Sequence, residues 1–327
     1  MAYDNLKLEK GLYTTGKSFT QTLEELDPSE NYAGTALEGL DAFQRQLKRF
    51  DIKISGAGSD PVAKFFATTD SSTLFPEYIS RAVRQGMENT DALEKMIATT
   101  TEIEGLDYRA IESVPGDDIE LADIMEGTVI PETRIKTKET LTPLKKRGRM
   151  LVASYEAIKY QKLDLFTVTL RQIGEYIART QIEDVLDVIC DDPVENLSLE
   201  NDELTYSDLV NLWAAFNPYK LTHIVAGGKD IVKMLHINEF KDSAAGCDFH
   251  GTGNPITPFG AEIIRCDSMG PYGIVGLDCN YAIEKITAGG VVTDFDKLID
   301  RQLERATITT IAGFSKIFSD ASKVIKF

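Results

Sequence analysis

The apolar positions of this chain fall into runs of different period, and each run predicts an element. Leu37, Leu40, Phe43, Leu47 and Phe50 recur every three or four residues, as on one helix face, and Thr35 with Glu38 fits a capping box ahead of them. Gly56, Gly58, Ser59, Asp60 and Pro61 then break the pattern. A second helix follows, with Pro76 in its first turn and Ile79, Val83 and Met87 on its buried face. The longest helical signal spans residues 164 to 190, a rod of about 40 Å, opened by Asp164 as N-cap and closed before Pro193. Phe166, Leu170, Ile173 and Ile177, then Ile182, Val185, Leu186 and Ile189, put apolar groups on more than one of its faces, so it should pack on two sides. Gly174 inside it costs roughly 1 kcal/mol relative to Ala, which a close packing contact would explain. Asp187, Asp191 and Asp192 crowd its C-terminal end, where the helix dipole disfavours negative charge.

Elsewhere the pattern is extended. From Leu106 to Gly148 two limbs are joined through Pro115, Gly116, Gly127 and Pro131, which predicts a long hairpin. A two-stranded ribbon is marginal alone in water, so it must lie on a core or on another molecule, and another molecule is the expectation here. Beyond Asn196 the order is helix (Tyr206 to Phe216), strand (Leu221 to Ala226), helix (Asp230 to Glu239), a Gly/Pro-rich loop, and strands at Glu262 to Cys266 and Gly273 to Leu277. This reads as a compact α/β unit inserted between the long helix and the tail, with Trp213 in its core. Ala306, Ile308, Ala312 and Phe314 alternate with polar or small residues, giving a strand expected to return to the domain of the long helix. The first 75 residues, with scattered apolar positions and polar Thr/Ser/Gly clusters, read as an arm rather than the start of a compact domain.

Charge sharpens the reading of the hairpin. Residues 102 to 126 hold nine acids against Arg109, whereas Arg134, Lys136, Lys138, Lys145, Lys146, Arg147 and Arg149 on the return limb face only Glu132 and Glu139. The whole chain carries −17, which argues against gripping nucleic acid directly, because that requires Lys and Arg to neutralise phosphates. Enclosing nucleic acid is different, since an acidic wall avoids adhesion. The 327 residues suggest about two domains, and 43% hydrophobic content suits a chain with a sizeable core. No apolar stretch approaches the roughly 20 residues of a membrane helix, and the N-terminus lacks the layout of a signal peptide, so the chain is expected to stay in the cytosol. Cys190, Cys247, Cys266 and Cys279 form no C-x-x-C pair and read as reduced thiols.

Candidate chemistry is thin. Cys247 with His250 is half of a metal site, and His236 and His223 add imidazoles at unknown distances, so no metal is assigned. Gly251-Thr252-Gly253-Asn254-Pro255 lacks the following helix of a phosphate-cradling loop, because Pro255 and Pro258 oppose it. Asp117-Asp118 and Asp191-Asp192 have no apolar pocket that would separate two carboxyl pKa values. No catalytic residue, cofactor or metal site is expected, and the chain is read as a non-enzyme.

Three stretches recur in a telling order. The first is Leu74-Phe75-Pro76-Glu77-Tyr78-Ile79. The second is Val129-Ile130-Pro131-Glu132 followed by Arg149-Met150-Leu151-Val152-Ala153-Ser154-Tyr155-Glu156-Ala157-Ile158 and Leu163-Asp164-Leu165-Phe166. The third runs from Ile256 through Phe259-Gly260-Ala261-Glu262-Ile263-Ile264 and Ser268-Met269-Gly270-Pro271-Tyr272-Gly273 to Ile274-Val275-Gly276-Leu277-Asp278. Their order and spacing resemble the major capsid proteins of tailed bacteriophages, the Hong Kong 97-type capsid fold family. The likeness covers nearly the whole chain; none of the stretches is an invariant motif, and Gly270 and Pro271 stand in reversed order.

The resemblance implies an α+β fold with an N-terminal arm (1–75), a helix leading into the P-domain (76–105), an E-loop hairpin (106–148), a P-domain with a long spine helix (149–195), an A-domain (196–280) and C-terminal strands returning to the P-domain (281–327). It implies a structural protein whose partner is itself, as pentamers and hexamers of an icosahedral shell around double-stranded DNA, without sequence-specific binding and without a membrane. A separate scaffolding protein, a portal and decoration proteins are further implied partners, with assembly in the bacterial host cytoplasm and the virion capsid as destination. An encapsulin-type nanocompartment shell is the alternative. Some family members join an E-loop lysine to a neighbour's asparagine; Glu126-Gly127 occupies the expected place, so a shell without crosslinks is expected. Within this reading Lys145, Lys146 and Arg147 at the hairpin base either meet acidic surface on an adjacent subunit or pair with the hairpin's own acids.

Overall fold

The computed structural model describes residues 2–13, 17–114, 134–191, 196–199, 204–241, 256–257, 259–267, 269, 273–298 and 302–326. In chain order the helices are α1 (Phe19–Leu26), α2 (Ala42–Arg49), α3 (Thr69–Ser72), α4 (Phe75–Glu88), α5 (Asp91–Met96), α6 (Tyr155–Tyr160), α7 (Leu163–Cys190), α8 (Tyr206–Ala214), α9 (Gly228–His236) and α10 (Asn238–Lys241). The strands are β1 (Thr99–Ile103), β2 (Ile111–Val114), β3 (Arg134–Thr137), β4 (Lys145–Ser154), β5 (Asn196–Ser198), β6 (His223–Ala226), β7 (Glu262–Arg265), β8 (Ile274–Leu277), β9 (Ile283–Ala288), β10 (Val292–Leu298), β11 (Leu303–Lys316) and β12 (Ser322–Lys326). The chain forms two compact units, one of Met1–Asn89, Lys146–Ile177 and Gly289–Thr310, the other of Thr90–Lys145, Ala178–Ala288 and Ile311–Phe327.

In the first unit the N-terminal segment departs from the arm expected for residues 1–75. Leu8, Phe19, Leu23, Phe43, Leu47 and Phe65 are buried in one cluster with Ile79 and Val83 of α4 and Leu170 and Ile173 of α7. The apolar stripes of α1 and α2 thus find their cover on the same chain. Two arginines fix the arrangement. Arg45, fully buried, donates from Nε to Asp27 Oδ2 at 3.0 Å and from Nη1 to Ser29 Oγ at 2.8 Å and the Leu40 carbonyl at 2.7 Å. Arg81 joins Glu77, Asp41 and Thr20, at 3.0, 2.7 and 2.7 Å, and lies over the Phe43 ring.

The helix expected from Leu37 starts only at Ala42, capped by Asp41 with Gln44 rather than by Thr35 with Glu38. Gly39 at φ +78° turns the chain out of the helical region, and Glu38 instead accepts from the Gly34 N–H at 2.8 Å. Asp164 lies in the first turn of α7 instead of capping it. Gly174 does mark a close approach: a Cβ there would overlap the Val83 carbonyl oxygen of α4, and one on Gly86 would overlap the Arg171 carbonyl oxygen.

In the second unit the central sheet has the order β5-β12-β8-β6-β7. Because strand side chains alternate, Ile224, Ala226, Ile263, Ile274 and Ile325 face one cluster with Leu209 and Leu212 of α8 and Met234 of α9. Val225, Ile264, Val275 and Val324 face the other, with Ile182, Val185 and Leu186 of α7. The continuous apolar run Ile224-Val225-Ala226 follows from burial on both faces. The tail divides: residues 289–310 belong to the first unit, whereas β12 pairs with β5 and β8 in the second. The long helix is divided between the units in the same way, and each part of the tail joins an α7 cluster: Ala306 and Ile308 with Leu170 and Ile173, and Ala312, Phe314 and Val324 with Ile182, Val185 and Leu186. Trp213, expected in the core, is 51% exposed, because Leu209 and Leu212 already occupy the buried side of α8.

Candidate assembly surfaces

The hairpin is present as an antiparallel ribbon in the second unit, with Ile111 opposite Thr137 and Ser113 opposite Ile135. This register puts Ile111 and Ile135 on the same face, since side chains alternate along a strand. Both are exposed, Ile135 to 70%. Leu106 and Leu141, flanking the ribbon, are exposed as well. Pro115, Gly116, Asp117, Asp118, Glu126, Gly127 and Pro131 lie outside the described residues, as do Cys247, His250, the 251–255 loop and Asp192.

The base of the hairpin is fastened to its own unit. Tyr108 Oη donates to Glu284 Oε1 at 2.7 Å, and the Lys138 ammonium donates to Ser315 Oγ at 3.1 Å and the Lys316 carbonyl at 2.8 Å. Burial and the Glu284 carboxylate push the Tyr108 hydroxyl pKa above its ordinary value. Lys145 Nζ lies 2.6 Å from Asp184 Oδ1 and 3.9 Å from Asp187 Oδ2 of α7. Lys145 therefore neutralises its own chain, and it offsets acid near the helix end where the dipole disfavours it. Lys146 is exposed and Arg147 half-buried, both in the first unit. The sequence signal for Lys145 was its charge; its partner, 39 residues away, had none.

The first unit presents a second apolar surface. Leu165, Val168 and Tyr176 lie along one side of α7 and are exposed, and Met150 and Val152 are exposed on β4 while Leu151 and Ala153 turn to the core. The Arg149 guanidinium sits over the Tyr176 ring at 5.5 Å.

Reactive chemistry is sparse among the described residues. No group of three or more His, Cys, Asp and Glu there is placed to hold a metal ion. His223 Nε2 is 3.7 Å from Glu262 Oε2, and burial lowers its imidazole pKa. Cys190 is buried, its thiol pushed up to about 11 by desolvation, the opposite of an activated nucleophile. No helix among the described residues is long and apolar enough to cross a membrane.

Residues 137–294 match a family model described as phage capsid protein. No curated protein matches the chain. Among solved structures, the capsid of a native GTA particle is 15% identical with a TM-score of 0.53, covering 72% of this chain and 90% of its own. The capsid of Cyanophage P-SCSP1u is 12% identical with a TM-score of 0.51, covering 70% and 85%. The holo-SrpI encapsulin complex of Synechococcus elongatus PCC 7942 is 12% identical with a TM-score of 0.50, covering 70% and 84%. At these identities the likeness establishes the fold, the Hong Kong 97-type α+β capsid fold.

Proposed function

We propose that this chain, which has the Hong Kong 97-type fold, is a phage capsid protein whose copies join as pentamers and hexamers into an icosahedral shell enclosing double-stranded DNA. Function is then geometry plus interface area, and obligate contacts of this kind bury roughly 2,000 to 5,000 Å² in total. The observation that carries the reading is the ribbon of β2 and β3, which exposes Ile111 and Ile135 on one face. An isolated ribbon in water has too little interior to stay ordered, and a sister copy supplies the cover.

Lys146 is the basic contact this reading assigns to the neighbour, Lys145 being engaged by Asp184 and Asp187. The net charge of −17 suits a wall that encloses DNA without holding it. A separate scaffolding protein, a portal and decoration proteins complete the assembly in the bacterial cytoplasm. An encapsulin-type compartment shares the fold; the family match over 137–294 supports the phage reading.

Electron microscopy of the expressed full chain, with co-expressed scaffold if the phage encodes one, tests this. Closed particles with five- and sixfold capsomers are expected. Dispersed monomers under both conditions would overturn the shell, and small particles filled with protein would favour the compartment.

A further inference from the structure

The hairpin is held at its root by two points that the sequence separates widely. Its limbs are joined by backbone bonds, from the Lys138 N–H to the Ala110 carbonyl and from the Thr142 N–H to the Tyr108 carbonyl, both 2.8 Å. Each limb also sets one polar side chain on the sheet of β9 and β11: Tyr108 on Glu284 and Lys138 on Ser315. Glu284 and Ser315 are direct register partners across those strands. The two limbs therefore grip neighbouring points, and a two-point grip resists rotation that either contact alone would allow.

The seat itself is polar. Glu284 is 6% exposed, and its Oε1 also accepts from Thr101 Oγ1 at 2.5 Å, which fixes the carboxylate before Tyr108 reaches it. A buried carboxylate is costly unless hydrogen-bonded, and an aliphatic side chain would fill the same space. What the carboxylate adds is direction. Close packing adds a third restraint: a Cβ on Gly313 of β11 would come within 2.6 Å of Leu144 Cδ2 and 2.7 Å of the Pro143 oxygen.

We propose that Tyr108 and Lys138 are positioning residues that set the angle at which the hairpin leaves its subunit, with Glu284 and Ser315 as their seats, and that this angle governs shell curvature. The inference rests on the shell reading above and assigns the control of particle size to contacts made within one chain.

Tyr108→Phe, Lys138→Met, the double variant, Glu284→Leu and Glu284→Gln, each in the full chain, are compared by amide exchange on the unassembled subunit and by particle diameter. Removing one grip should speed exchange at the Lys138 and Thr142 amides about tenfold, as expected for one hydrogen bond to a charged group. The β6 and β8 amides should not change, which verifies the fold. Glu284→Gln keeps an acceptor for Tyr108 and should behave as wild type, whereas Glu284→Leu should not. Diameters should broaden in Tyr108→Phe and Lys138→Met. Unchanged exchange at both root amides in the double variant overturns the grip, and faster exchange with wild-type diameters overturns its control of the angle. A wild-type chain that forms no particles sinks the shell reading and the curvature role together, while the exchange result still decides whether the grip exists.

Discussion

Gly174→Ala in α7 should destabilise the subunit, although Ala is the better helix former by roughly 1 kcal/mol. The added methyl would overlap the Val83 carbonyl oxygen and come within 2.8 Å of Met87 N and 3.0 Å of Gly86 Cα. All three are backbone atoms of α4, so no side-chain rotation can make room. The helices must separate, loosening the contacts of Ile79 and Val83 with Leu170 and Ile173. Overpacking of this kind costs about 1 to 3 kcal/mol, and rigid backbone neighbours place it toward the upper end. After the propensity gain, a net loss of about 1 to 2 kcal/mol remains. Gly86→Ala, which meets the Arg171 carbonyl oxygen across the same gap, should cost a similar amount, and the double variant less than the sum, because the gap opens once. Urea unfolding of the unassembled subunit measures all three. A midpoint for Gly174→Ala at or above wild type would refute the close approach of α4 and α7.

Arg45→Met should cost about 3 to 5 kcal/mol in the same assay, because it leaves the Asp27 carboxylate, 1% exposed, buried without its cation; a loss below about 1 kcal/mol would show that the N-terminal helices do not depend on this pair. Burial lowers the His223 pKa from its ordinary 6.5, with Glu262 opposing and Lys95 reinforcing the shift. The unfolded chain then binds the extra proton first, so stability should fall as pH drops through that value, and His223→Gln should flatten the fall; equal pH slopes for both proteins would contradict it. Lys146→Glu should lower particle yield and change the salt sensitivity of assembly, and the same yield and salt profile as wild type would remove Lys146 from the interface.

What could be read from the sequence was what repeats locally. The long helix from Leu163 to Cys190 was legible because its apolar positions recur within a turn, and the alternation of helix and strand from Tyr206 to Leu277 because each element carries its own period. Gly174 was legible as a contact because glycine in a helix interior needs a reason. The cover for Phe43 and Leu47 was not, since it comes from α4 and α7, and without a visible partner the first 75 residues read as an arm. Trp213 misled because residue type suggests burial, while position on α8 decides it. The ion pair of Lys145 with Asp184 of α7 and the seat of Tyr108 on Glu284, 176 residues away, depend on tertiary packing, which no local pattern encodes. The site that matters here is a surface with a fastened root, and only its hairpin and charge were visible beforehand.

The most direct test follows the ribbon through assembly. Hydrogen exchange at residues 111–114 and 134–137 is measured in the free subunit and again in closed particles. Fast exchange before and strong protection after are expected if sister copies cover Ile111 and Ile135. Equal exchange in the two states, or full protection in a solitary monomer, would contradict the account.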